Sequence, residues 1–126
     1  MNSKSEIDKY FQDNWSTTAI QFEGADFELP SDNAWISVSY VPYDRSIVGY
    51  GGSETRKEDN ALIVVRCYDT SPTLVLSLSQ AVLAFLECKT INGIIVDLGI
   101  ADGNGAVPLH NGIFEMTLNF KTRTYT

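Results

Sequence analysis

The side chains that could do acid–base chemistry are few and scattered along this chain. His110 is the single histidine, and it lies at a loop-to-strand boundary between Pro108 and Gly112. No serine lies in a Gly-x-Ser-x-Gly context or has an obvious partner base. The sequence therefore favours a solvated loop histidine. If the chain is instead a small enzyme or ligand-binding domain, its least implausible site is His110 with Asp97 and Asp102.

Two glycine-containing loops superficially resemble ligand-binding loops. Asp102 and Asn104 have the spacing of the first oxygen ligands of a calcium loop, but Ala106 stands where a third ligand is required. The glycine cluster at 49–52 is not followed by the Gly-Lys-Ser/Thr of a phosphate-binding loop, and no helix pattern begins there. The interpretation is a turn and a flexible loop, with no metal ion and no cofactor.

The two cysteines, Cys67 and Cys88, form neither a Cys-x-x-Cys pair nor part of a metal-ligand cluster. Cys67 lies in a β-rich apolar run and Cys88 lies at the end of a helical run. Cysteine in such positions behaves as a small apolar residue. Both are predicted to be buried free thiols, and no catalytic residue is assigned.

Composition predicts one globular domain over 1–126. The chain has 126 residues, of which 44% are hydrophobic and 20% charged, which is ordinary for a packed protein. Its net charge of −7 disfavours specific binding to nucleic acid and to anionic membranes. No apolar run reaches the roughly 20 residues of a membrane span, and the first residues lack the apolar core of a signal peptide. Folding in the cytoplasm is expected.

The hydrophobic periodicity predicts two helices and five strands. The helices are predicted over 5–14 and from the Ser71 cap and Pro72 to about Cys88. The strands are predicted at 18–22, 34–41, 60–69, 94–100 and 112–122, with Pro42 ending the second and Asn92-Gly93 forming a turn. The second helix is expected to bury Leu74, Leu78, Ala81, Val82, Phe85 and Leu86, and Leu98 is grouped with Ile94 and Val96.

These elements predict an α+β fold. Its sheet is predominantly antiparallel, two helices pack on one face, and a long loop or hairpin joins the central strands. The last strand alternates apolar and polar residues from Phe114 to Lys121, so its polar side is expected to remain uncovered by helices.

The segment 43–59 contains the strongest candidates for partner contacts. It is either a long mobile loop that becomes ordered against a partner, or a hairpin that folds back on its own sheet. Exposed aromatic and apolar side chains favour an interface, and its mixed charges favour salt-dependent protein contacts over a phosphate track. The candidate interaction residues are Tyr43, Arg45, Ile47, Val48, Tyr50, Arg56 and Lys57.

The order of these features resembles the tail terminator family of long-tailed phages. The matching segments are Phe27-Glu28-Leu29-Pro30, Trp35 to Pro42, Leu62 to Cys67, Ser71 to Leu86 and Phe114 to Phe120. The resemblance implies a virion protein, assembled in host cytoplasm, that forms a ring of commonly six copies on the tail tube. Such a ring stops tail polymerisation, meets the head–tail connector and lets DNA pass through its lumen. The alternatives are another neck, head-closure or tail-completion protein, or a small ligand-binding domain or enzyme.

Overall fold

The computed structural model describes residues 3–51, 54–101, 103 and 105–125, with the backbone alone at 47–51 and 54–56. Over these residues the chain forms two α-helices and a seven-stranded sheet, together with a short 3₁₀ turn at His110–Gly112. The elements are α1 Ser3–Asn14, β1 Ala19–Phe22, β2 Trp35–Gly51, β3 Glu54–Asp69, α2 Pro72–Leu86, β4 Thr90–Ile91, β5 Ile94–Ala101, β6 Val107–Pro108 and β7 Phe114–Tyr125. Each predicted helix and strand is present, and the α+β class is confirmed.

The strands follow the order β1-β2-β3-β7-β5-β4, and β6 pairs with the start of β7. Every pair is antiparallel except β1 with β2, so the predicted antiparallel character is confirmed. The tight turn between β4 and β5 is the predicted Asn92-Gly93, where both residues have positive φ (48° and 87°). This conformation suits asparagine and glycine and matches the twist of a two-residue hairpin.

Both helices cover one face of the sheet, here called the helix face. Alternate residues of β2, β3 and β7 point to this face and are almost fully buried, as expected for a period of two. Ile7 and Phe11 of α1 and Val82 and Leu86 of α2 belong to the same buried cluster. The buried strand residues in that cluster are Ile36, Val38, Ile63, Val65, Cys67, Ile91, Ile94, Val96, Leu118 and Phe120.

The start of α2 is set by local sequence. The Ser71 Oγ accepts a hydrogen bond from the Leu74 N–H at 3.1 Å, and Pro72 occupies the first turn, where its missing N–H leaves no bond unmade. The predicted apolar stripe is wrong at Leu74, which is 49% exposed, whereas Val75 is buried. The stripe passes instead through Ser79, whose hydroxyl donates to the Leu76 carbonyl at 2.7 Å and so becomes compatible with burial.

The predicted orientation of Leu98 is wrong because β5 contains a bulge. Val96 pairs with Thr122 and Gly99 pairs with Phe120, so two residues of β5 stand opposite Lys121. Gly99 therefore takes the inward position, where an added Cβ would overlap the side chain of Phe120. Leu98 is displaced to the other face of the sheet, here called the open face, and is 64% exposed.

Pro42 does not end the second strand, contrary to prediction. It pairs with Ala61, and the next pair is Asp44 with Asn60, so Tyr43 lies in a bulge and the ladder continues. The missing N–H of proline is tolerated because β1 pairs with β2 only as far as Val38, which leaves β2 as an edge strand here.

The open face carries neither of the two helices, as predicted, but one end of it is covered by the connection between β1 and β2. The ring of Trp35 stacks on Tyr68 with centroids 4.4 Å apart, and Phe27 approaches the same indole at 6.2 Å. Trp35 is buried by this arrangement. The Phe27 of the Phe-x-x-Pro segment therefore helps to close this end of the sheet.

Candidate interaction surfaces

The segment between the central strands is a hairpin, which confirms the second of the two predicted alternatives. The β2–β3 ladder runs to the pair Gly51–Glu54. The neighbouring strand β7 accompanies β3 only as far as the pair Glu58–Tyr125. Residues 43–51 and 54–59 are called the hairpin arm here. Beyond Glu58 the described arm is a two-stranded ribbon, a form that is marginally stable by itself in water.

Two polar contacts hold the base of the arm. Arg45 Nε lies 2.9 Å from Asp59 Oδ1 across the ladder. The Tyr125 hydroxyl donates to Glu58 Oε1 at 3.0 Å. Both contacts are solvent-exposed, so they help to fix the register but contribute little to the free energy of unfolding.

The fold brings all seven predicted interaction residues onto this arm. Tyr43 is 52% exposed at the bulge, Arg45 is paired with Asp59, and Lys57 is exposed opposite Ile47. The remaining members lie on the strand backbone, but their side chains are outside the described set: Ile47, Val48, Tyr50 and Arg56.

A groove of about 740 Å³ lies at the base of the arm. This hairpin groove is lined by Tyr40, Pro42, Tyr43, Asp44, Arg45 and Asp59, and α1 begins beside it at Ser3. Its lining combines two tyrosine rings and a proline ring with two carboxylates and a guanidinium. Tyr40 and Pro42 were not predicted to take part, because Pro42 was interpreted as the end of the strand.

A second exposed surface lies on β5 and β7, and no pattern in the sequence indicated it. This β5 patch is formed by Cys88, Asp97, Leu98, Ile100 and Lys121 around a depression of about 490 Å³. Leu98 and Ile100 are 64% and 61% exposed, an unusual concentration of aliphatic surface on a strand. It arises from the bulge, which is a property of the pairing between two strands and leaves no simple periodic signal.

Of the two cysteines, Cys67 is buried as predicted, and Cys88 is exposed, contrary to prediction. Cys88 follows the last residue of α2 by two positions and adopts a φ of 59°, which turns the chain away from the helix. Burial raises the pKa of the Cys67 thiol to about 12. A thiol that is both buried and protonated is a poor nucleophile, so Cys88 is the accessible thiol of the pair.

A polar cleft of about 390 Å³ lies near the covered end of the open face. The Tyr68 hydroxyl in this cleft interacts with Ser37 and Glu115. Burial, followed by the Glu115 interaction, raises the pKa of Tyr68 to about 12. A tyrosine whose pKa is raised is ionised to a smaller extent near pH 7, so the Tyr68 hydroxyl stays protonated there.

The residues considered for catalysis are not assembled into a site in the described part of the chain. His110 is exposed in the 3₁₀ turn, and Asp97 accepts a hydrogen bond from Arg123 at 3.4 Å. Asp102 and Asn104 lie outside the described residues. Among those described, no three His, Cys, Asp or Glu residues cluster as a metal site. The absence of catalysis, metal and cofactor remains a prediction.

None of the described helices is long and apolar enough to cross a bilayer. This finding concerns the described helices alone.

Comparison with known proteins identifies the fold. No protein-family model and no curated protein matches the sequence. A solved protein without a descriptive name has a TM-score of 0.67 and 9% identity, covering 98% of this chain and 96% of its own. A chain from the virion of a native gene transfer agent particle has a TM-score of 0.63 and 10% identity, covering 98% of this chain and 94% of its own. At such low identity these similarities show a shared fold.

Proposed function

We propose that this chain is a structural virion protein that forms a ring on the end of a phage-like tail tube. There it stops tail polymerisation and presents a surface to the head–tail connector. The observation that carries the proposal is the similarity of almost the whole fold to a chain of a gene transfer agent virion. The order of sequence features resembling tail terminators supports the position at the tail end.

The hairpin arm supports an assembly role on physical grounds. Among the described residues no third strand pairs with its distal ribbon, and Tyr43 at its base exposes aromatic surface to water. Contacts with a neighbouring copy or the tail tube would bury such surface and order the ribbon. The partners proposed are further copies of the chain, the tail tube protein and the connector.

Ring formation requires two different surfaces on each copy. A head-to-tail contact joins one surface of a subunit to another surface of the next, and it closes when the rotation between copies permits. The chain offers the hairpin groove and the β5 patch as two such unlike surfaces.

Deleting the gene in the host that produces the particle tests this role. We expect tail tubes of uncontrolled length that fail to join heads, because nothing would cap the growing end. Expressing the chain from a plasmid should restore the tail length measured in electron micrographs. Tails of normal length with heads attached would contradict the proposal. Normal tails that fail to join heads would favour the head-closure alternative.

A triple charge reversal tests whether the arm mediates this assembly. Replacing Arg45, Arg56 and Lys57 by glutamate should weaken assembly in a salt-dependent manner, because exposed charges steer docking more than they stabilise the fold. The control replaces Lys9 and Lys89, exposed lysines away from the arm, by glutamate. Equal assembly by both variants at low salt would argue against the arm.

A further inference from the structure

The hairpin groove and the β5 patch lie at opposite sides of the same sheet. The groove is built mainly on β2, beyond the point where β1 stops pairing with it. The patch is built on β5, on the other side of β3 and β7 in the strand order. The two surfaces therefore lie on opposite halves of the sheet, separated by β3 and β7.

Neither edge is suited to simple strand addition. Pro42 lacks a backbone N–H, and β2 has pairing irregularities between Pro42 and Asp44 and between Ile47 and Gly49. The β5 strand has its own irregularity between Val96 and Gly99. Bulges and prolines on edge strands obstruct hydrogen-bonded pairing between molecules. Side chains, not backbone ladders, are therefore the available means of contact between copies.

The two surfaces carry charges of opposite sign when the residues already in ion pairs within the subunit are left out of the count. Arg45 is paired with Asp59 in the groove, and Asp97 is paired with Arg123 at the patch. This leaves Asp44 in the groove and Lys121 in the patch, and no ion pair joins either of them to another described side chain. Among the residues that line the two surfaces, the groove therefore has a carboxylate without an ion pair and the patch has an ammonium without an ion pair. Beside the patch, the Glu87 carboxylate accepts a hydrogen bond from the Gly99 N–H at 3.2 Å.

We infer that the β5 patch of one copy docks in the hairpin groove of the next. Leu98 and Ile100 pack on the rings that line the groove, and Lys121 faces the Asp44 of the neighbour. The apolar part supplies affinity, and the charge pair fixes orientation. Because the two surfaces differ, the contact is head-to-tail, as ring closure requires. The inference rests on the proposed ring and specifies the surfaces that form it.

Charge exchange provides the first test. Asp44→Lys places a lysine opposite Lys121, and Lys121→Asp places an aspartate opposite Asp44, so each variant alone meets a like charge. We expect each to weaken self-association of the purified protein by about threefold to tenfold at low salt, measured by sedimentation over a concentration series.

Mixing the two single variants is the decisive experiment. The lysine introduced in one variant then meets the aspartate introduced in the other, and the native Asp44 meets the native Lys121. Both kinds of contact in an alternating assembly are therefore attractive, and we expect association to recover in the mixture and in the double variant. A merely structural effect of either substitution would not be rescued by mixing folded proteins. Failure of both rescues would overturn the inference.

A cysteine crosslink tests the geometry independently. Tyr43→Cys places a thiol in the groove, and the native Cys88 supplies a thiol at the patch. Mild oxidation should link the introduced thiol of one copy to Cys88 of the next and produce a ladder extending beyond dimers on a non-reducing gel. In a control that combines Tyr43→Cys with Cys88→Ser, each chain has one accessible thiol, so no product larger than a disulfide-linked dimer should form.

The outcomes separate this inference from the proposed function. Multimers could form with no crosslink between positions 43 and 88 and with no effect of charge reversal. That result would overturn this interface and leave the proposed ring in place. A second result would overturn both the interface and the ring: no multimers in solution, no crosslinks in isolated tails, and tails that are correctly capped by a single copy. A crosslinked ladder with rescue by mixing would support the interface.

Discussion

The hairpin arm and the helix-face core are made from the same two strands, yet they differ in what surrounds them. In the core half, β2 and β3 bury Ile36 and Ile63 completely under the helices. In the arm half, the same ladder continues past the end of β7, and Tyr43 is half exposed. Burial of apolar surface is the main source of stability, so the core half determines folding. The arm half is left available for a partner.

The largest difference in stability between the two regions is expected when one large side chain is removed from each. Phe120→Ala should lower the free energy of unfolding by about 3–5 kcal/mol, because a fully buried ring leaves a cavity. Tyr43→Ala, the matched arm variant, should change it by less than about 0.5 kcal/mol. Urea unfolding followed by circular dichroism measures both. Similar losses would mean that the arm is part of the folding core.

A smaller effect is expected at the bulge that exposes the β5 patch. Gly99→Ala should destabilise the protein by about 1–3 kcal/mol, since the new methyl group would overlap Leu83 and Phe120. Gly103→Ala is the control, because nothing lies near the Cβ position there. Thermal unfolding of the two variants gives the comparison. An unchanged melting temperature for Gly99→Ala would indicate that the bulge does not hold this glycine against the core.

Features that depend on contacts between residues close in sequence could be predicted, whereas features that depend on pairing between distant strands could not. Ser71 and Pro72 determine the start of α2 through contacts within one turn, so their residue types were sufficient to locate it. Alternation over 112–122 likewise located β7. The direction of Leu98 and the continuation past Pro42 depend on bulges, which are set by the partner strand and by what fits beneath Gly99. Periodicity in one strand does not contain that information.

In the candidate interaction surfaces, too, local features were predictable and long-range features were not. The residues of the hairpin arm were identified from their aromatic and charged types, whereas the choice between a loop and a hairpin depended on long-range pairing. The β5 patch was missed because Leu98 was grouped with the inward side and Cys88 with the core. Both errors concern the direction in which a side chain points. On a sheet, a shift of one residue in the pairing moves a side chain from the buried face to the exposed face.

A pH-dependent effect on stability is expected at the covered end of the open face, where Tyr68 lies. The folded-state pKa of Tyr68 is about 12, above its ordinary value of 10.0, mainly because of burial. The folded state thus holds this proton where the unfolded chain releases it. The resulting contribution to stability is complete below pH 10 and is lost as the pH rises through 12.

Tyr68→Phe isolates that contribution. Its stability should fall less steeply between about pH 10 and pH 12 than that of the parent protein, as measured by urea unfolding at each pH. All other residues are the same in both proteins, so the difference between the two curves reports Tyr68. Parallel curves would show that its surroundings do not hold the proton.

If the arm serves assembly and is dispensable for folding, its removal should prevent assembly and leave the rest of the fold intact. The most direct test replaces residues 44–58 with a short glycine-serine turn, confirms by circular dichroism and sedimentation that the variant is a folded monomer, and expresses it in the gene-deleted host. We expect overlong tails without heads in electron micrographs, as in the deletion strain. Tails of normal length joined to heads would contradict it.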